Sequence, residues 1–434
     1  MTHTSSFQIA VLGAGYVGLT TAACLAHLGH TVAAVDVDES KVARLSRGEC
    51  PILEERLEEM IGEGLASHRL SFSTDAESAV KDADFVFLCV PTPQGADGSA
   101  DLRFVEAASA DIGPHLKSGA VVVTKSTVPV GSADKVVAAL GRSDTAVVSN
   151  PEFLREGTAL DDWLHPDRVV IGAEDPRAAE KLALLYEPLG APVVVTDPAS
   201  SETIKYAANA FLAAKVSFVN SIAVLCEAVG ADAAAVIAGM GFDRRIGSDH
   251  LSPGPGWGGS CFPKDTAALI RVAEDYGYDF ALLKAVVAAN EAQLDFVAAQ
   301  VEQIAGGNLQ GTTVAAWGLT FKSGTDDLRS SPAVAVLGRL RSQGALLRAY
   351  DPTRPAPDRA ELAGLGLHLC EDPYDAVRGA SVLVVLTEWP ELRDLDLQRA
   401  AALMENPAIV DTRNLYTAAS ARAAGFTYLG MGRR

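Results

Sequence analysis

Apolar residues along this chain fall into two rhythms that predict two kinds of architecture. Short continuous apolar runs at 8–12, 31–35, 84–90, 120–124, 145–149, 169–171 and 193–196 read as strands separated by helical spacings. Because these runs do not alternate with polar residues, they predict parallel strands covered on both faces. From about residue 200 to 299 the pattern turns helical, and segment 201–229, rich in Ala, Val and Leu, is apolar around its whole circumference. Such a helix is expected to be buried, partly against a second copy of the chain, so a homodimer is the minimal assembly. The pattern breaks at Gly306-Gly307-Asn308, after which strands return at 313–317, 346–350, 381–386 and 408–410. At 434 residues the chain exceeds one comfortable core, so it should divide into domains at 1–198, 199–305 and 306–434.

The first strand runs directly into Gly13-Ala-Gly15-Tyr16-Val17-Gly18, which opens an apolar helix. In a dinucleotide fingerprint the first glycine permits the tight turn. The second lets backbone approach a pyrophosphate at the helix N-terminus, and the third lets helix pack on strand. Strand 31–35 then ends in Asp36, where an acidic side chain accepts from the ribose hydroxyls and confronts a 2′-phosphate. NAD is therefore expected over NADP; the competing reading of Asp36 is a helix cap in the Asp36-Val-Asp38 turn. The fold class that follows is α/β, with two doubly wound Rossmann-like domains joined by a long central helix and a helical middle domain.

A formal net charge of −19 argues against a nucleic-acid surface. It also means that anionic ligands need Lys and Arg concentrated locally, which screening over roughly 8 Å permits. No run reads as long and apolar enough to span a membrane, and the short polar start carries no export signal, so a cytoplasmic location is expected. Six cysteines and eight histidines show no paired-cysteine, HxxxH or HExxH spacing; reduced thiols and no metal are expected.

The chemistry concentrates at Gly256-Trp-Gly-Gly-Ser-Cys261-Phe-Pro-Lys264-Asp265. A thiol flanked by glycines suits covalent carbonyl chemistry, and a neighbouring cation such as Lys264 would favour the thiolate. Further polar loops follow strand ends: Pro91-Thr92-Pro93, Lys125-Ser-Thr127-Val-Pro129 and Asn150-Pro-Glu152-Phe153-Leu154-Arg155-Glu156. Lys205 and Asn209, four apart, share one helical face.

With GAGYVG, VPTP, KSTVPVG, NPEFLREGTA, HPDRVVIG, KYAANAFLA, RIG, PGPGWGGSCFPKD and GLTFKSGTDDLRSSP, the chain resembles the UDP-glucose 6-dehydrogenases of the UDP-glucose/GDP-mannose dehydrogenase family, from about Gln8 to Arg413. The resemblance implies a four-electron oxidation of UDP-glucose to UDP-glucuronate with two NAD reduced. It implies Cys261 as nucleophile, Lys205 and Asn209 facing the reacting oxygen, and Asp265 and Glu152 as proton-transfer carboxylates, with Thr127 in both the catalytic and cofactor sets. For NAD it implies the fingerprint residues Gly13 to Gly18 with Asp36, Lys41, Thr92, Thr127, Glu156, Lys264 and Arg329. For the UDP-sugar it implies Glu152, Phe153, Leu154, Arg155, Glu156, Lys205, Asn209, Arg245, His250, Leu251, Ser252, Pro253, Gly254, Gly258, Lys322 and Arg413. Trp257, Ser323 and Ser221 depart from the usual pattern. Alternatives are the same chemistry on GDP-mannose or a UDP-N-acetylhexosamine, a two-electron hydroxyacid dehydrogenase, which leaves Cys261 without a role, and a nucleotide sensor, which has no use for Cys261, Lys205 and Asp265 together.

Overall fold

The computed structural model describes residues 6–95 and 97–433, so residues 1–5 of the polar start lie outside the described residues. The chain forms two compact units. One comprises residues up to Ala208 together with Ala267–Gly277, and the other Asn209–Thr266 with Tyr278–Arg434.

In the first unit, strands β1 (Gln8–Leu12), β2 (Thr31–Val35), β3 (Leu70–Ser73), β4 (Phe85–Leu88), β5 (Val121–Thr124), β6 (Ala146–Ser149), β7 (Val169–Ala173) and β8 (Val193–Thr196) form one sheet in the order β3-β2-β1-β4-β5-β6-β7-β8. Alternate residues of a strand enter different cores. Ile9, Val11, Phe85, Phe87 and Val123 pack on one face, and Ala10, Leu12, Val86, Leu88 and Val122 on the other. Burial on both faces is why these strands carry no polar alternation. All neighbours are parallel except β6 and β7, which pair antiparallel. That corrects the all-parallel expectation: loop 150–158 and the short helix Ala159–Leu164 keep the chain at the end of the sheet where β6 finished, so β7 runs back.

The second unit carries β9 (Thr313–Trp317), β10 (Leu346–Tyr350), β11 (His368–Leu369), β12 (Val382–Val385), β13 (Ala408–Asp411) and β14 (Thr427–Gly430), all parallel in the order β11-β10-β9-β12-β13-β14. Strands β3, β11 and β14 escape a reading by apolar runs because each is an edge strand with polar or exposed positions.

The long helix spans Pro198–Val229. Two expectations about it need correcting. It is long and apolar enough, by length and composition, to cross a bilayer, yet its polar residues are matched to protein: Lys205 to Glu152 and Asn220 Oδ1 to the Gly254 amide at 2.8 Å. Nor is it buried all round, since Phe211, Phe218, Leu225 and Val229 are exposed. Their spacing of seven, seven and four places them on one face.

Glu202, on the same helix, accepts from the Gly131 amide at 2.6 Å and the Ala133 amide at 3.0 Å, and so caps the helix Ser132–Leu140. Burial raises its carboxyl to about 7, with those amides offsetting part of the effect. The folded carboxyl thus holds its proton above the unfolded value, and stability falls as pH rises from about 4.5 to about 7. Glu202→Gln removes that ionisation, so its Tm relative to the parent should rise between about pH 5 and about pH 8. Melts at the two pH values check this, and a pH-independent difference contradicts it.

Candidate active site

Register groups the candidate residues of the first unit. Leu12 lies beside Val35 and Leu88, so the fingerprint turn, Asp36 and the segment leading to Thr92 all leave the sheet at one edge. Gly13 has φ +97, and a Cβ there would lie 2.6 Å from the Cys89 carbonyl oxygen. A Cβ on Gly18 would lie 1.8 Å from the Gly13 carbonyl oxygen, whereas one on Gly15 meets nothing within 4 Å. Backbone at Gly15 is therefore open, and no side chain caps the helix Tyr16–His27 that Gly15 precedes. An uncapped N-terminus behind open backbone fits a dinucleotide pyrophosphate.

Asp36 accepts from the Ala14 amide at 2.8 Å and pairs with Lys41 at 2.9 Å. The cap of the next helix is Asp38, which accepts from the Ser40 and Lys41 amides. Burial works to raise the Asp36 carboxyl, but Lys41 and the amides of Asp38 and Ala14 hold it below the ordinary range. Thr92 donates to the Thr127 carbonyl at 2.8 Å, which joins the loops that follow β4 and β5.

Beyond β6, Glu152 is buried and accepts from Lys205 Nζ at 2.9 Å and from the Leu154 amide at 2.6 Å. Burial acts to raise its carboxyl, and Lys205, that amide and Lys125 together hold it below its ordinary value. Phe153 lies 5.5 Å below the Lys205 ammonium and 3.6 Å from the Arg168 guanidinium. Arg155 is paired with Asp162 at 2.5 Å.

In the second unit, Asn209 donates to Asp265 Oδ2 at 2.5 Å, and Lys264 pairs with Asp265 Oδ1 at 2.5 Å. Lys264, the cation expected near the thiol, is thus paired with the carboxylate that follows it in the chain. What the fold offers Cys261 is position: it immediately precedes the helix Phe262–Asp275, and its carbonyl accepts from the Asp265 amide at 2.8 Å. The positive end of a helix favours an anion there. Gly258 is tight, since a Cβ would lie 2.0 Å from the Ser330 carbonyl oxygen. Gly254 faces the Arg413 guanidinium, which donates to the Leu386 and Phe321 carbonyls. His250 adopts φ +57 beside Leu251, Ser252 and Pro253. Lys322 stands 5.8 Å over the Phe321 ring, Arg329 pairs with Asp327 at 2.7 Å, and the exposed Arg245 pairs with Asp243 at 2.6 Å.

None of the six cysteines is in a disulfide. Among the described residues one trio, His368, Cys370 and Asp375, gathers ligand atoms within 4.8 Å. The Arg348 guanidinium lies 3.6 Å from the Cys370 sulfur and 3.4 Å from the Asp375 carboxylate, so a cation already occupies that place.

Three family models match in succession: the NAD binding domain of the UDP-glucose/GDP-mannose dehydrogenase family over residues 7–190, its central domain over 199–292 and its UDP binding domain over 315–418. The chain belongs to the UDP-glucose/GDP-mannose dehydrogenase family. It is 45% identical over 436 residues to a UDP-glucose 6-dehydrogenase of Rhizobium meliloti, covering 98% of this chain and 99% of that one. The structure of a UDP-glucose dehydrogenase from Pyrobaculum islandicum superposes with a TM-score of 0.90 at 40% identity, covering 100% and 99% of the two chains. A UDP-D-ManNAc dehydrogenase structure from Pyrococcus horikoshii gives 0.86 at 27%, covering 98% and 99%. Membership carries NAD as the cofactor.

Motif reading gave no site role to two polar residues: Lys125, which opens the loop after β5, and Glu54. Lys125 is buried, donates to Asn150 Oδ1 at 3.1 Å and lies 5.6 Å over the Tyr186 ring. Burial lowers its amine to about 8, with Cys89 and Glu152 opposing that drop. The sequence signal was a lysine directly after a fully apolar strand. Since its charge helps keep Glu152 ionised, Lys125→Met should shift the acidic limb of the pH–rate profile for NADH formation upward by about one unit. An unmoved limb separates Lys125 from Glu152.

Proposed function

We propose that the protein oxidises UDP-glucose to UDP-glucuronate in two two-electron steps, with Cys261 carrying the intermediate. The observation that carries this reading is a thiol outside any disulfide at the N-terminal end of a helix whose first turn supplies Asp265, hydrogen-bonded to Asn209. Greater identity to the glucose-type relatives than to the N-acetylmannosamine enzyme supports the sugar.

NAD, when bound, accepts the hydride in each oxidation. The C6 alcohol first loses a proton and a hydride to give an aldehyde. The Cys261 thiolate adds to that carbonyl, forming a C–S bond and a thiohemiacetal whose loss of a second hydride leaves a thioester. Water cleaves the C–S bond, releasing carboxylate and thiol. One alcohol and one water thus become one carboxylate and three protons, with two NADH formed. Lys205 and Asn209, one turn apart on the long helix, supply an ammonium and an amide donor to the developing oxyanion. Glu152, kept ionised beside Lys205, is a base for the hydrolytic water. The fingerprint turn, Asp36, Thr92 and Thr127 hold the dinucleotide, while loop 152–156, loop 250–254, Lys322 and Arg413 hold the nucleotide sugar.

We assign the enzyme to the cytoplasm, in keeping with six cysteines outside any disulfide, and to a homodimer. The exposed stripe of Phe211, Phe218, Leu225 and Val229, at 66%, 54%, 54% and 68% exposure, is an apolar face that a second copy would cover. Phe211→Asp with Phe218→Asp should yield a monomer by sedimentation where the parent is a dimer; a monomeric parent rejects the assembly.

Counting NADH against a panel of nucleotide sugars, including GDP-mannose and UDP-N-acetylmannosamine, tests the reaction. Two NADH per UDP-glucose are expected, and one with free aldehyde rejects the four-electron route. Cys261→Ser should slow the second oxidation, or release of the resulting ester, far more than the first, because serine alkoxide is scarce at neutral pH and forms an ester. Single-turnover NADH counting with mass spectrometry of the denatured variant reads this out. Parental rates for both oxidations exclude Cys261 as nucleophile.

A further inference from the structure

Glu54 lies in the segment before the helix Leu57–Ala66, far in sequence from every motif above, and is buried. Its carboxylate accepts from three donors on two functional segments. Oε1 accepts from the Ala159 amide at 2.7 Å and Oε2 from the Gly157 amide at 2.7 Å. Oε2 also accepts from the hydroxyl of Tyr16, the fingerprint residue directly after Gly15. The Gly157 amide donates to the Tyr16 hydroxyl as well, at 2.9 Å, which closes a triangle. Burial first, and then the adjoining Glu54 carboxylate, push the Tyr16 phenol far up, so it stays a donor.

The segment held this way is the one that carries Glu152. Residues 150–158 have no helix or strand of their own. At one end Glu152 is fixed by Lys205 and the Leu154 amide. At the other, the Gly157 and Ala159 amides are fixed by a carboxylate whose remaining bond goes to the cofactor turn. A charge-assisted bond to a buried carboxylate is short and directional, so a displacement of Tyr16 is transmitted to loop 152–158 and not absorbed by solvent.

We propose that Glu54 is a positioning residue that couples the cofactor turn to the substrate loop, so that dinucleotide and nucleotide sugar bind with positive coupling carried by the Tyr16–Glu54 hydrogen bond. This rests on the assignment of loop 152–156 to the UDP-sugar. Ordering of Tyr16 over an occupied fingerprint turn aligns Glu54, which presents the loop in its binding geometry. By linkage, the sugar nucleotide tightens the dinucleotide by the same factor.

The test uses NADH with UDP-glucose, a pair that cannot react, and titration calorimetry on the full-length protein. In the parent, saturating NADH should tighten UDP-glucose by about 5-fold or more, and UDP-glucose should tighten NADH equally. In Tyr16→Phe and in Glu54→Gln that factor should fall to within about 2-fold of unity. Tyr16→Phe leaves the Glu54 bonds to the loop intact, so its UDP-glucose affinity without NADH should stay near the parent's, as should its melting temperature. A merely structural role would instead lower the melting temperature and weaken each ligand while preserving the factor between them. Parental coupling in Tyr16→Phe and Glu54→Gln, or no coupling in a parent that binds both ligands, overturns the proposal. A parent that does not bind UDP-glucose at all overturns the substrate assignment, and the coupling with it.

Discussion

A charge leaves water only if something replaces the solvent around it, and the Lys205–Glu152 pair is where this chain meets that constraint most severely. Both side chains are at most 5% exposed. Removing either partner would strand the other at a cost of about 3–5 kcal/mol. The surroundings are built to prevent it: the Leu154 amide holds one carboxylate oxygen, and the Phe153 ring faces the ammonium. Lys125 adds a second buried cation from the end of β5, itself held by Asn150. Loop 150–158 and the start of the long helix are therefore fixed to one another by charge before any ligand arrives.

An acidic chain that binds two anionic ligands has to present cations without losing them to its own carboxylates. The cations proposed for that task are mostly paired with a near neighbour: Arg155 with Asp162, Arg329 with Asp327, Arg245 with Asp243 and Lys264 with Asp265. Ligand phosphates would then exchange with carboxylates instead of meeting bare cations. The gain per contact is smaller, and wrong anions gain little from charge alone. Asp36 shows the complementary device, a carboxylate kept ionised by Lys41 and two amides at a place where it disfavours extra negative charge.

Local sequence determined a great deal. Strands buried on both faces announce themselves as apolar runs, which is why β1, β2, β4, β5 and β9 fall where the pattern puts them. The glycine fingerprint carries part of its own geometry: Gly18 is required by close approach to the Gly13 carbonyl within the turn, and Gly13 by its φ of +97. Cys261, Asp265, Lys205 and Asn209 stand out as candidates for the same reason, each sitting in a short motif.

Tertiary structure decided what depends on partners distant in the chain. Edge strands β3, β11 and β14 become strands through a neighbour, not through their own pattern. The reversal at β7 follows from where the preceding loop leaves the chain. The long helix looked uniformly apolar, yet packing buries only part of its circumference, and that partition is invisible to a composition that hardly varies around the axis. Glu54 gave no signal at all: a carboxylate in a polar stretch acquires its role only when folding brings Tyr16, Gly157 and Ala159 to it from 38, 103 and 105 residues away.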